Sequence, residues 1–282
     1  MTIQASSSAT IQAQSTWFSL LWTIPFAVLW GWLIFRLPAL VEGGFPAMAA
    51  RVMSCGLIAL GLWLGLERTD LTPSLIGFCG APWTVATYMV EGQGSADQAQ
   101  ARLWAYRDPA GFARLIELLI DTSIAYLCGQ IDAGADVLQI FDTWAGALPD
   151  LEFARWVVAP TQRIVAGVRR RHPEVPIIGF PRGAGLRIGG YAEATGVQGI
   201  GCDAAVPLVE MAELAKKHRR VVQGNLDPLV LAAGGQACDV AASRLLEAMH
   251  GRPFICNLGH GIRPETPPEH VARLVALVRA YR

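Results

Sequence analysis

The sequence predicts a parallel (β/α)8 TIM barrel, of which six βα units are visible, and three observations carry that reading. Six short apolar runs recur from residue 74 onward, stretches with helical spacing separate them, and the runs end in Gly-rich or polar residues. Strands covered on both faces read as continuous β-branched runs, and strands alternating with helices form parallel sheets. Six units in series suit a barrel better than an open sheet. No GxGxxG follows an early strand, so dinucleotide binding has no support. A complete barrel needs eight units, so the first two are missing or replaced upstream.

The expected strands are SLIGF at 74–78, DVLQIF at 136–141, VPIIGF at 175–180, GIGCDA at 199–204, RVVQGN at 220–225 and PFICNL at 253–258. Between the first two lies a helical pattern over residues 113–134, closed by Gly134 as the residue just past the helix. Between the second and third lies another over residues 153–173, stopped by Pro173.

Upstream the texture differs. Hydrophobic residues make up 52% of the chain and charged ones 16%, with a mean hydropathy of +0.36, an excess that sits near the N-terminus. Residues 1–16 are a Ser/Thr/Gln/Ala-rich lead, read as disordered. Trp17 to Phe35 then runs nineteen residues without a charge, Met53 to Leu66 is again apolar, and five of the nine tryptophans precede residue 70. By length, Trp17–Phe35 qualifies as a membrane-span candidate. It makes a poor signal peptide, because no positive segment precedes it and no small-residue cleavage site follows. The chain is therefore divided into an atypical hydrophobic segment, 1–70, and a barrel, 71–282.

Lys plus Arg equals Asp plus Glu at 23 each, which argues against a nucleic-acid partner held by general positive charge. The six cysteines, Cys55, Cys79, Cys128, Cys202, Cys238 and Cys256, form no CxxC pair and no metal-ligand spacing, so they are read as reduced thiols of a cytoplasmic protein with no metal.

In a barrel, the loops after the strands gather on one face and carry the chemistry. CGAPWTVATYMVEG at 79–92 opens a short helix whose N-terminal amides could face an anion, with Tyr88 as a phenolic donor. The plainer alternative has Trp83, Tyr88 and Met89 simply packing at the rim. In FDTWAG at 141–146, Asp142 and Thr143 alternate, so only one of them can point into the mouth. In NLGHGI at 257–262, His260 stands between two glycines, suited to proton transfer or carboxylate binding. The alternative has His260 bonding the rim backbone. His172, His218, His250 and His270 lie in helical or charged contexts and are read as solvated.

Taken together, GFCGAPWTVATYMVEG, LQIFDTWAG, QGNLDP and NLGHGI resemble, in order and spacing, the motifs of the uroporphyrinogen decarboxylases. The resemblance covers residues 74–282. It implies a single distorted barrel, a homodimer, no metal or organic cofactor, and conversion of uroporphyrinogen III to coproporphyrinogen III with loss of four CO2 in haem biosynthesis. It also implies that Tyr88, Thr143 and His260 contact the tetrapyrrole, Thr143 standing where the family typically has Ser.

The family's MRQAGRYLPEY motif, with its arginines, and its FSDIL-like strand, with its Asp, have no equivalent here, so the catalytic residues are unknown. Residues 1–70 are accordingly read as a shifted reading frame, or as a membrane-like segment. A catalytically impaired or membrane-tethered barrel remnant is the alternative function. A zinc methyltransferase of related fold would need an HxC pair, whereas His260 is followed by Gly261 and Ile262.

Overall fold

The computed structural model describes residues 74–281 apart from 94 and 96. The predicted disorder of residues 1–16, the Trp17–Phe35 span and the 1–70 segment lie outside the described residues. Ser74–Arg282 forms one unit.

All six expected strands are present: β1 Ile76–Gly80, β2 Val137–Asp142, β3 Ile177–Pro181, β4 Gly199–Gly201, β5 Val221–Leu226 and β6 Phe254–Leu258. They form one parallel sheet in sequence order, the arrangement of consecutive barrel staves. Among the described residues, β1 and β6 each pair on one side only. Burial follows: β3 and β4 are buried throughout, whereas β6 is half-buried and exposed by turns.

The helices are α1 Pro82–Glu91, α2 Ala99–Arg107, α3 Pro109–Asp132, α4 Asp150–Phe153, α5 Ala159–Arg169, α6 Ile188–Thr195, α7 Leu208–Lys217, α8 Pro228–Ala233, α9 Gly235–Met249 and α10 Pro268–Ala280. Asp108 caps α3 by accepting the Gly111 N–H at 2.8 Å, and the chain leaves it through Gly134 at φ +106°, as expected. The stretch expected as one helix over 153–173 differs. A π turn at Ala154–Val158 joins α4 to α5, immediately before Pro160, whose missing N–H removes one rung of the ladder.

The two faces of the sheet are distinct. Phe78, Phe141 and Phe180 make successive edge-to-face contacts at 5.8 Å, and Gln223 Nε2 donates to Gln139 Oε1 at 3.2 Å from β5 to β2. Those side chains share the barrel-facing side. Leu138, Ile140, Ile177, Ile200 and Val222 face the helices and are fully buried. Behind the start of the sheet, Phe112 on α3 packs edge-on against Trp83, Trp104 and Trp156 at 5.0–5.9 Å, fixing α1, α2 and the π turn to one core. No described helix is long and apolar enough to cross a membrane.

Candidate ligand site at the strand C-terminal ends

The site begins where β1 turns into α1. Ala81 donates its N–H to the Phe141 carbonyl at 2.8 Å, and Pro82 opens the helix. Asp142, the last residue of β2, lies on the helix-facing side with 0% exposure. The Thr84 hydroxyl donates to Asp142 Oδ1 at 2.6 Å. Burial pushes the Asp142 carboxyl up to about 7, opposed by hydrogen bonds from the side chain and backbone of Thr84. The first turn of α1, expected to face an outside anion, is thus occupied by the chain's own carboxyl.

Thr143 follows on the opposite parity, that of Phe141, and is half-buried. Trp144 is held at both its backbone N–H and its carbonyl. Its N–H donates to Thr84 Oγ1 at 3.3 Å, and its carbonyl accepts the Trp83 indole N–H at 3.0 Å. Tyr88, 39% exposed, lays its ring edge-on to Trp144 at 6.2 Å. Trp83 is therefore a core residue, while Tyr88 and Met89 stay open to solvent.

The next two strand ends contribute residues that the sequence reading passed over. Arg182 continues the barrel-facing parity of Phe180 and is half-buried. Its N–H donates to the Asp142 carbonyl at 3.1 Å, and its carbonyl accepts the Gly146 N–H at 2.9 Å. Asp203, after β4, accepts from Gly183 N–H at 2.7 Å and from Ala205 N–H at 2.9 Å. Asn225 braces that loop by donating to the Asp203 and Val206 carbonyls at 3.1 and 2.7 Å.

His260 is exposed on the loop after β6. Gly259, just before it, donates to the Leu226 carbonyl at 2.8 Å and abuts the β4 loop so closely that a Cβ there would lie 2.4 Å from Ala204 N. Partial burial lowers the His260 imidazole below its ordinary value, the Arg182 guanidinium lowers it further, and Asp203 opposes both. The ring is mainly neutral at pH 7, with one N–H to donate and one nitrogen to accept.

The rim thus reads, in order, Tyr88 and Trp144, Thr143, Arg182, Asp203 and His260. Tyr88, on the helix after β1, and His260, on the loop after β6, occupy the two ends, with Arg182 and Asp203 between them. Of the histidines expected to be solvated, His250 is exposed. His218 differs: its side chain, at the end of α7, is 9% exposed, with Nδ1 2.7 Å from a carboxylate oxygen of Glu193 on α6. His270 lies 3.0 Å from the Leu231 carbonyl, and His172 is partly covered. Cys79, Cys128, Cys202 and Cys238 are buried free thiols and Cys256 is half-buried, while Cys55 lies outside the described residues. Among the described residues, no three His, Cys, Asp or Glu side chains converge as a metal site would require.

The sequence profile of the uroporphyrinogen decarboxylase (URO-D) family matches residues 64–281. Uroporphyrinogen decarboxylase of Rhodospirillum rubrum is 54% identical over 211 residues, covering 75% of this chain and 60% of that protein. The Mesorhizobium japonicum enzyme of the same name is 55% identical over 207 residues. That of Sphingopyxis alaskensis is 51% identical over 242 residues, covering 86% of this chain and 70% of that protein. The chain spans about 60% of the length of the first of these relatives. Among solved structures, a methyltransferase from Methanosarcina mazei aligns with a TM-score of 0.63 at 22% identity, covering 79% of this chain and 63% of that one. At that identity the likeness concerns the fold alone.

Proposed function

Because this chain belongs to the uroporphyrinogen decarboxylase family, we propose that its strand-end rim binds uroporphyrinogen III and serves the decarboxylation of the acetate side chains to coproporphyrinogen III. The observation that carries the reading is the rim itself. Hydrogen-bonding and cationic groups that follow β1, β2, β3 and β6, namely Tyr88, Thr143, Arg182 and His260, suit a ligand bearing several carboxylates.

In this chemistry a proton adds to a pyrrole ring carbon and the cationic ring becomes the electron sink. The bond from the methylene to the carboxyl carbon breaks, its electron pair flows into the cationic ring, and CO2 leaves. The resulting methylene carbon takes a proton to become methyl, and the ring carbon gives back the proton it had accepted, restoring the pyrrole. The substrate supplies its own electron sink, so no organic cofactor or metal is invoked. The protein's part is to seat carboxylates and stabilise charge. Arg182 brings the permanent positive charge, while neutral His260, Thr143 and Tyr88 offer directional hydrogen bonds. Arg182→Met is expected to weaken binding of uroporphyrin, the oxidised octacarboxylate, by about tenfold, roughly one lost charge-assisted hydrogen bond. Quenching of tryptophan fluorescence measures it, and unchanged affinity would remove Arg182 from the site.

The division at about residue 70 belongs to this proposal, with 71–282 as the ligand-binding unit of a cytoplasmic protein. So does a homodimer, supported by a ring of exposed aliphatics on the same rim. Leu151, Leu186, Val209, Leu229 and Ile262 come from the five consecutive segments after β2 to β6, and Leu186 is 99% exposed. Leu186→Asp with Leu229→Asp is expected to shift the sedimenting species from dimer to monomer. A wild-type chain that sediments as a monomer at micromolar concentration would sink the dimer.

A second reading, a family member impaired in catalysis, is favoured by one observation: no MRQAGRYLPEY-like or FSDIL-like segment occurs in the sequence. Anaerobic incubation of the purified chain with uroporphyrinogen III separates the two. Coproporphyrinogen formation supports the enzyme, porphyrin binding without CO2 release supports the impaired member, and absence of both overturns the ligand assignment.

A further inference from the structure

The rim residues Thr143 and Tyr88 come from different elements, a strand end and the last turns of α1, yet they meet through Trp144. What joins them lies underneath, in the helix layer. Asp142 is the buried terminus of β2, and Thr84 occupies the first turn of α1. A threonine hydroxyl has one proton and two lone pairs. Here the proton goes to Asp142 Oδ1 at 2.6 Å, and a lone pair takes the Trp144 N–H at 3.3 Å. The acceptor on Asp142 therefore sets the direction of the hydroxyl, and the hydroxyl fixes the peptide unit that follows Thr143. The Trp83 indole holds the next peptide unit by donating to the Trp144 carbonyl at 3.0 Å.

We propose that Asp142 and Thr84 are positioning residues that clamp the Thr143–Trp144 turn to α1, so that Thr143 and Tyr88 meet the ligand as one rigid pair. Neither residue touches the ligand, since both are buried on the helix-facing side of the sheet. The clamp is buried and polar. Around it stand Cys79 from β1, Ser123 from α3, Thr161 from α5 and Tyr191 from α6, all buried and none of them a cation. Among the described residues, Asp142 Oδ2 has no hydrogen-bond partner. Thr84 is thus the side-chain donor that orients the carboxyl.

The inference rests on the ligand assignment above, and its test separates the two. Thr84→Val keeps the side-chain shape and deletes the hydroxyl, while Thr84→Ser keeps the hydroxyl. Amide hydrogen exchange on the full chain reads the clamp without any ligand. At Trp144, exchange relative to the β3 amides is expected to quicken roughly tenfold in Thr84→Val and to return to the wild-type rate in Thr84→Ser. Uroporphyrin affinity is expected to fall about tenfold in Thr84→Val, with recovery in Thr84→Ser, as a positioning loss of one hydrogen bond predicts. An unchanged Trp144 exchange ratio in Thr84→Val would overturn the clamp whatever the ligand does. A loosened Trp144 with unaltered affinity would overturn the coupling of the clamp to the site. A wild-type chain that does not bind uroporphyrin, yet shows the exchange effect, would overturn the ligand assignment and leave the clamp standing.

Discussion

Asp142→Asn is expected to stabilise the chain at pH 8.5 and to leave it nearly unchanged at pH 4. The carboxyl ordinarily titrates near 3.8, and burial raises it to about 7 in the folded protein. The folded state therefore holds its proton more tightly than the unfolded state. Stability contributed by the neutral acid is fully present below the unfolded value, and it is lost as pH rises through about 7. A shift of about three pH units corresponds to an ionisation cost on the order of 4 kcal/mol above pH 7. The amide carries no ionisation, keeps an oxygen for the Thr84 hydroxyl, and places an NH2 where Oδ2 has no partner. Exposed carboxylates such as Glu117 and Asp239, held low by Arg163 and Arg273, have the opposite pH dependence. The difference between variant and wild type cancels them. Urea midpoints measured from pH 4 to 8.5 give that difference, and parallel curves for the two proteins would show that Asp142 does not titrate in this range.

Gly259→Ala is expected to cost more than any other single-methyl change on the rim. A Cβ there would meet Ala204 N at 2.4 Å, Ala204 Cα at 2.9 Å and the Asp203 carbonyl carbon at 2.9 Å, all of them backbone atoms. Backbone cannot rotate away as a side-chain tip can, so the β6 loop must lift off the β4 loop. That overpacking is expected to cost on the order of 3 kcal/mol, or roughly 10 °C in Tm for a domain of this size. His260 moves with the loop, away from Arg182 and Asp203, and the proposed uroporphyrin affinity falls by more than tenfold, a placement effect. Gly261→Ala is the control, because a Cβ at that position meets nothing within 4 Å. Equal Tm values for the two variants would contradict the close approach.

The strands were legible because both faces of a parallel sheet are covered, leaving continuous runs such as VPIIGF. The same property hid the orientation of Asp142 and Thr143. Alternation says that the two differ in direction, but when both faces are apolar it does not say which face is the barrel. The structure resolves the question through Gln139 and Phe141, which share the parity of Thr143 and meet Gln223, Phe78 and Phe180 inside. Arg182 and Asp203 were missed although both follow a recognisable run, in FPRGAG and GCDAAVP. Their signal was the position itself, a charged residue two places past the last barrel-facing strand residue. The π turn before Pro160 had a visible cue in the proline, but not the contact that Trp156 of the turn makes with Phe112 on α3, 44 residues earlier in the chain.

The strand order carries a consequence for synthesis. Each strand from β2 onward lies beside the one made just before it, so no strand must wait for a distant partner. Folding can advance in the direction of translation, each new strand and helix docking on a finished neighbour, with modest loop-closure cost at every step. Of the described elements, β6 and α10 follow the others, and neither has a fully buried residue. They bring His260 with them, so His260 joins the rim only after the preceding strands have docked, and its end is the part of the described site that opens most readily.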